Sequence, residues 1–251
     1  MDTNNGLNQN SKEISDFQIK HATLNVRGIN DKEKRRRIFQ WCKSQNLDII
    51  FLQETFLTAQ KQTEATKDWN GYSIHEVSRS NHSNGLSILF RKHLNIEIIN
   101  SHTSQDGRIL LLNTKLNTEY LTLINIYGPS TNETAKKSFF NKCIKWVNEY
   151  AFDSNYLIMA GDFNCIDNQN DRYSRIIDLS SNTFKKMKNR LSLTDIWRKL
   201  HPESIAYTYI HPTDFTKQSR IDVCLLSNVL SNLVQSCEIK PAPTPDHNAV
   251  I

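Results

Sequence analysis

Acidic and amide side chains close apolar runs at five places in the 251-residue chain: Asn25, the QET segment with Glu54, the GDFN segment with Asp162 and Asn164, the SRID segment with Asp222, and the pair Asp246 and His247. Oxygen donors without Cys or paired His ligands favour a hard divalent cation, Mg²⁺ with Mn²⁺ as a substitute, over zinc. That donor set suits hydrolysis at phosphate. A phosphodiester repels hydroxide, so its catalyst must neutralise the phosphate, orient or deprotonate water and stabilise the leaving oxygen. Glu54, a lone acid after the apolar run DIIFL, is the strongest metal-ligand candidate, and Asn25 can add a neutral oxygen or position the ion. Residues i and i+2 of an extended chain point to one side, so Asp162 is expected to orient or deprotonate water while Asn164 donates to a phosphoryl oxygen. His247 can stabilise developing charge if protonated, with Asp222 fixing its tautomer and Asp246 a second acid near metal or water. Such clustering costs a few kcal/mol of repulsion per pair, roughly, at intermediate dielectric, and a bound cation offsets it.

The elements that must carry these groups can be read in outline. Alternation and apolar runs predict strands over 17–26, 47–52, 72–77, 86–91, 95–100, 109–116, 120–127, 156–160, 205–210, 220–226 and 234–239. Helical spacing predicts helices over 32–45, from a Ser130/Glu133 capping box through 148, and over 180–190, with a polar loop at 164–174 and a short amphipathic turn at 193–200. In the first helix Ile38, Phe39, Trp41 and Cys42 are expected to face a sheet, leaving the basic run 32–37 mostly solvated. Strands in two groups with interleaved helices predict an α/β sandwich of two sheets flanked by helices.

Composition narrows the class. A formal charge of +5 is compatible with a polyanionic partner but falls short of a basic coat. Five cysteines form no C-x-x-C pair and mostly occupy apolar contexts, which fits a reduced compartment. Residues 1–16 lack the apolar stretch of a signal peptide and read as a flexible polar leader, followed by one domain over 17–251. Since 251 falls in the opening of one more strand, the domain is expected to be excised from a longer polypeptide.

Asn25, QET, the Tyr127 of NIYGP, GDFN, SRID and DH, in this order and spacing, resemble the endonuclease/exonuclease/phosphatase superfamily over nearly the whole chain from about residue 21. The resemblance implies a four-layer α/β sandwich of two packed, mainly antiparallel sheets, and catalytic roles for Asn25, Glu54, Tyr127, Asp162, Asn164, Asp222, Asp246 and His247, with Glu54, Asn25 and Asp246 at the metal. Within that superfamily, LNVRGIN, LQET, DIWRKLHP, the Tyr207–Tyr209 segment and SRID are most similar to the apurinic-endonuclease-like domains of non-LTR retrotransposons. That likeness implies Mg²⁺-dependent nicking of double-stranded DNA in the nucleus, leaving a 3′-hydroxyl to prime a reverse transcriptase downstream in the same polypeptide. It places Arg172, Thr208, Lys217, Ser219 and Arg220 toward DNA, matches the adjacent Asp171 and Arg172 to that group's Asp-Arg motif, and makes 210–218 a hairpin loop entering the minor groove. Two positions depart from the pattern: Pro245 stands where Ser usually precedes Asp-His, and Val223 follows SRID where a His or aromatic is common.

Three other functions fit parts of this pattern. A lipid or inositol phosphatase of the same fold shares the hydrolytic groups, but the basic balance and the expected minor-groove loop suit a polymer. An abasic-site repair endonuclease shares the chemistry, but the segment before Arg220 is polar here (Thr216, Lys217, Gln218, Ser219) where those enzymes carry bulky apolar groups. A DNA-binding module without catalysis would not require Glu54, Asp162, Asp222 and His247.

Overall fold

The computed structural model describes residues 18–77, 84–152 and 156–251. The polar leader expected over 1–16 lies outside them. In chain order the elements are β1 (His21–Asn25), α1 (Lys32–Ser44), β2 (Ile49–Gln53), α2 (Ala59–Trp69), β3 (Tyr72–Glu76), β4 (Leu86–Phe90), β5 (Ile96–Thr103), β6 (Ile109–Leu116), β7 (Glu119–Tyr127), α3 (Glu133–Tyr150), β8 (Leu157–Asp162), α4 (Ser181–Arg190), β9 (Leu193–Asp195), α5 (Ile196–Leu200), β10 (Tyr209–Ile210), β11 (Gln218–Ser219), β12 (Asp222–Ser227), α6 (Asn228–Ser231), β13 (Ile239–Pro241) and β14 (Asn248–Val250).

Two six-stranded sheets form, ordered β13-β14-β1-β2-β4-β3 and β5-β6-β7-β8-β12-β9, and β10 and β11 make a separate hairpin. Each large sheet is antiparallel except for one central parallel pair, β1 with β2 and β7 with β8. Strand periodicity explains the layering. Ile49 and Phe51 of β2 turn inward to meet Leu110, Leu112, Leu123, Ile158 and Ala160 of the other sheet, forming the core between the sheets. Ile50 and Leu52 turn outward onto Ile38, Phe39 and Trp69 of α1 and α2, while Leu111, Ile126 and Met159 turn outward onto Phe139, Phe140 and Phe184 of α3 and α4. The result is helix, sheet, sheet, helix, the expected sandwich. Strands covered on both faces carry nearly unbroken apolar runs, as DIIFL and YLIMA do.

A polar bolt crosses the middle of the inner core. Gln53 Nε2 donates to Asn125 Oδ1 at 2.7 Å and to Thr23 Oγ1 at 3.0 Å, and Asn125 Nδ2 donates to the carbonyls of Leu52 and Ser87, each at 2.9 Å. Buried amides lacking partners would be costly. These are satisfied only when the two sheets dock in this register.

Several local expectations are corrected. α2 has no clear sequence signature because only Ala65 and Trp69 of it are buried. α3 begins at Asn132, whose side chain accepts from the Thr134 and Ala135 amides, so Ser130 and Glu133 do not make a capping box; Asn is the better cap. The strand expected over 234–239 begins only at Ile239, where β14 first offers a partner, and that expected over 205–210 is confined to Tyr209–Ile210. Arg35, expected on a solvated helix face, is fully buried and donates to Asp68 and to the carbonyls of Ile29 and Asn30.

Candidate active site

The two parallel pairs bring the carboxyl ends of β1, β2, β7 and β8 to one edge of the sandwich. Asn25 is in register with Gln53, and Tyr127 with Asp162. Antiparallel β12 begins there, with Asp222 opposite Asp162, and β14, antiparallel to β1, is preceded by Asp246 and His247 at the same edge. Asn25, Tyr127, Asp162 and Asp222 each continue the inward-facing row of their strand. Glu54 does not: alternation after the inward Gln53 would send it toward the helices, but its backbone adopts φ +50°. That left-handed kink, costing about 1–3 kcal/mol for a residue with a side chain, returns the carboxylate to the gap. Asn25 Nδ2 donates to Glu54 Oε1 at 2.9 Å and to Asp162 Oδ2 at 3.1 Å, linking the sheets at the site.

Gly161 of GDFN is required by packing. A Cβ there would lie 2.0 Å from the Ile126 carbonyl oxygen, and its φ of +155° disfavours side chains. Asn164 also has positive φ, +48°, so the extended two-residue argument fails. Its backbone N–H donates to Asp162 Oδ1 at 2.9 Å, and its side-chain nitrogen donates to the Gly128 carbonyl at 3.0 Å. In this arrangement Asn164 holds Asp162 and the β7 terminus rather than presenting its amide outward.

His247 Nδ1 lies 2.8 Å from Asp222 Oδ2, with both side chains buried. Burial opposes the imidazolium, but the carboxylates of Asp222, Asp162 and Asp246 prevail and raise its pKa to about 9. Asp162 is pushed up to about 7, first by burial and then by Asp222. Burial and the neighbouring Glu54 raise Tyr127, which hydrogen-bonds Glu54, so it stays a phenol at neutral pH; Arg108 stacks on its ring, 5.0 Å from the centroid.

Asp162, Asp222 and His247 present ligand atoms within 4.8 Å of one another, but His247 Nδ1 is committed to Asp222. The better test of metal fit is what lacks a partner. Asp222 Oδ1 and Asp246 Oδ1 are buried and find no hydrogen-bond partner among the described residues. Glu54, Asp162, Asp222 and Asp246 outnumber the cationic groups in direct contact with them among the described residues, Arg27 and a protonated His247, so the cluster carries an excess of acid. Oxygen donors and this excess fit Mg²⁺ or Mn²⁺. Asn25 is corrected as a ligand: its oxygen accepts from the Arg27 amide at 3.1 Å and its nitrogen faces the acids.

The residues assigned toward DNA separate. Lys217 is exposed on the hairpin loop between β10 and β11. Arg220, by contrast, is 1% exposed and grips Asp171 and Asp195 through four hydrogen bonds of 2.7 to 3.2 Å. These two acids engage it fully, so it braces the site from within. Thr208 is also fully buried, and its hydroxyl accepts from the Ile221 and Asp222 amides at 3.1 and 3.0 Å, setting the start of β12. Ser219 is buried in the hairpin, bridged to Arg172. Asp171 pairs with Arg220 and Arg198, while Arg172 pairs with Asp178 at 2.9 Å. Arg27 was not singled out from the sequence. Its only signal is a cation two residues after a strand-end Asn.

A chain whose two sheets deliver this set of acids to one edge has the architecture of a phosphoester hydrolase. The chain belongs to the Endonuclease/Exonuclease/phosphatase family, matching it over residues 22–243. It is 28% identical over 235 residues to the transposon TX1 uncharacterized 149 kDa protein of Xenopus laevis, spanning 91% of this chain and 17% of that protein. Among solved structures, an AP endonuclease from Archaeoglobus fulgidus superposes with a TM-score of 0.78 at 19% identity, covering 93% of this chain and 98% of its own. The endonuclease domain of TRAS1, a telomere-specific non-LTR retrotransposon, gives 0.68 at 14% identity, covering 92% and 95%. These likenesses establish a shared fold.

Proposed function

We propose that this chain is the endonuclease domain of a non-LTR retrotransposon polypeptide, acting in the nucleus as a Mg²⁺-dependent nuclease that nicks one strand of duplex DNA. The 3′-hydroxyl it frees would prime reverse transcription by a polymerase domain of the same polypeptide. The observation that carries the reading is the convergence of Glu54, Asp162, Asp222, Asp246 and His247 at one edge, with buried carboxylate oxygens that lack a hydrogen-bond partner among the described residues and an excess of acid. Similarity to a transposon protein supports the biological setting.

A divalent ion, held by Glu54 and Asp246, would supply positive charge to the phosphate and the leaving oxygen. Asp162, with a pKa near 7, is poised as the base that takes a proton from the attacking water. His247, kept protonated and oriented by Asp222, donates to a phosphoryl oxygen and offsets the charge that develops there. Asn25 holds Glu54 and Asp162 at a fixed separation, and Tyr127 braces Glu54. Lys217 and the hairpin loop would meet the DNA backbone and minor groove.

Incubating supercoiled plasmid with the protein and Mg²⁺ tests this directly. Open circles bearing extendable 3′-hydroxyls are expected, and none with EDTA. Strong preference for a duplex carrying an abasic site over an intact one would instead favour a repair role.

A further inference from the structure

Arg27 is the cation of the carboxylate cluster that the strand-end motifs do not account for. Its guanidinium reaches Asp246 Oδ2 at 2.9 Å through Nη2 and approaches Glu54 Oε2 at 3.6 Å through Nη1. These are the two acids assigned to the metal. The backbone that aims it is special: φ is +48°, the amide donates to Asn25 Oδ1 at 3.1 Å, and the carbonyl accepts from Lys34 Nζ at 2.6 Å. The next residue, Gly28, donates to the Glu54 carbonyl at 2.6 Å, locking the turn against the end of β2.

The hold on the carboxylates is exchangeable. One guanidinium arm makes a short contact and the other a long one, while the side chain is 39% exposed. It borders a groove of about 650 Å³ lined also by Gly28, Asp31, Lys34, Phe56 and Lys61, in which Asp31 offers a carboxylate. Arginine stays charged at any physiological pH, so it cannot leave the acids by losing a proton; it can only move or be replaced by another cation.

We propose that Arg27 is an internal counter-cation of the metal site that shares Glu54 and Asp246 with the divalent ion, so that ion uptake displaces the guanidinium toward the adjoining groove. The proposal rests on the metal-dependent reading above. It makes the site's affinity for metal lower than its four acids alone would give, and it keeps those acids together before metal arrives.

Calorimetric titration with MnCl₂, without DNA, tests it on the wild-type domain, Arg27→Met and Arg27→Lys. Arg27→Met is expected to bind Mn²⁺ roughly tenfold more tightly, a coupling of ordinary size between two ligands competing for one site, while Arg27→Lys stays near wild type. The Arg27→Met protein should also melt lower in EDTA and recover with Mn²⁺. Should Arg27→Met not melt cooperatively, Arg27→Gln carries the same comparison. Equal or weaker affinity in the neutral variant overturns the role of Arg27 while leaving metal binding intact; no Mn²⁺ uptake by any of the proteins overturns both readings.

Discussion

Two buried acidic clusters lie side by side, joined by the SRID segment, and they differ in one respect. Around Arg220, every oxygen of Asp171 and Asp195 has a guanidinium partner, Arg198 adds a further contact to Asp171, and both arginines pack on the Trp197 ring at 4.9 and 5.0 Å. Two acids meet two bases. Around Asp222, two residues on, four acids outnumber the cationic groups that touch them, and two carboxylate oxygens have no hydrogen-bond partner among the described residues. The same residue type responds in opposite ways: burial would raise Asp195, but Arg220 holds its carboxyl below the usual range, whereas burial and Asp222 push Asp162 up to about 7. Burial alone therefore does not mark function; an unbalanced charge does.

Substitutions in each cluster should separate these effects. The largest is expected from Asp162→Asn or His247→Ala, which should lower nicking of supercoiled plasmid by roughly a thousandfold, in the range of general acid–base catalysis. Asp162→Asn should also leave the metal-free melting temperature unchanged or raised, since it removes an unbalanced charge. Arg220→Met should do the reverse. It strands Asp171 and Asp195 without their shared partner, costing about 3–5 kcal/mol in chemical denaturation, and activity should fall only as far as unfolding explains. If Arg220→Met were stable but inactive, the boundary between the clusters would be misplaced.

A smaller effect is expected from Thr208→Val, which deprives the Ile221 and Asp222 amides of an acceptor. Urea titration should register a loss of roughly 1–3 kcal/mol, with nicking reduced modestly because Asp222 retains its strand pairing to Asp162.

The pH dependence sharpens the contrast by its sign. In EDTA, Asp162 and His247 both have raised pKa values, so their contribution to stability is present at low pH. It is lost as pH rises, between 3.8 and about 7 for Asp162 and between 6.5 and about 9 for His247. Asp195, whose pKa is lowered, loses its contribution as pH falls below the usual carboxylate range. Melting temperatures of wild type minus Asp162→Asn across pH 4 to 8 should accordingly shift downward with rising pH. For nicking, an acidic limb governed by Asp162 and an alkaline limb near 9 governed by His247 are expected.

Much of the scaffold was legible because its strands are covered on both faces, so that apolar runs such as DIIFL announce themselves and the polar residue ending each one stands out. The convergence of Asn25, Glu54, Asp162, Asp222 and His247 follows from that grammar. What local pattern could not supply was orientation. Glu54 and Asn164 depend on left-handed backbone, Asn25 turns its nitrogen rather than its oxygen to the acids, and Arg220 and Thr208 serve as interior braces because partners distant in sequence claim them. α2 escaped notice since two buried residues make no recognisable stripe, and Arg27 because a cation among ligands breaks the expected sign.

The position of β14 in the first sheet has a consequence for how the molecule comes into being. This three-residue strand slots between β1 and β13, so one of the earliest strands synthesised waits for one of the last before its hydrogen-bonding edge is covered. Asp246 and His247 arrive on that same late segment. On the function proposed above, a ribosome-bound chain without that segment would hold Glu54, Asp162 and Asp222 but neither the imidazole nor the closing strand, and would cut only once the segment had been made.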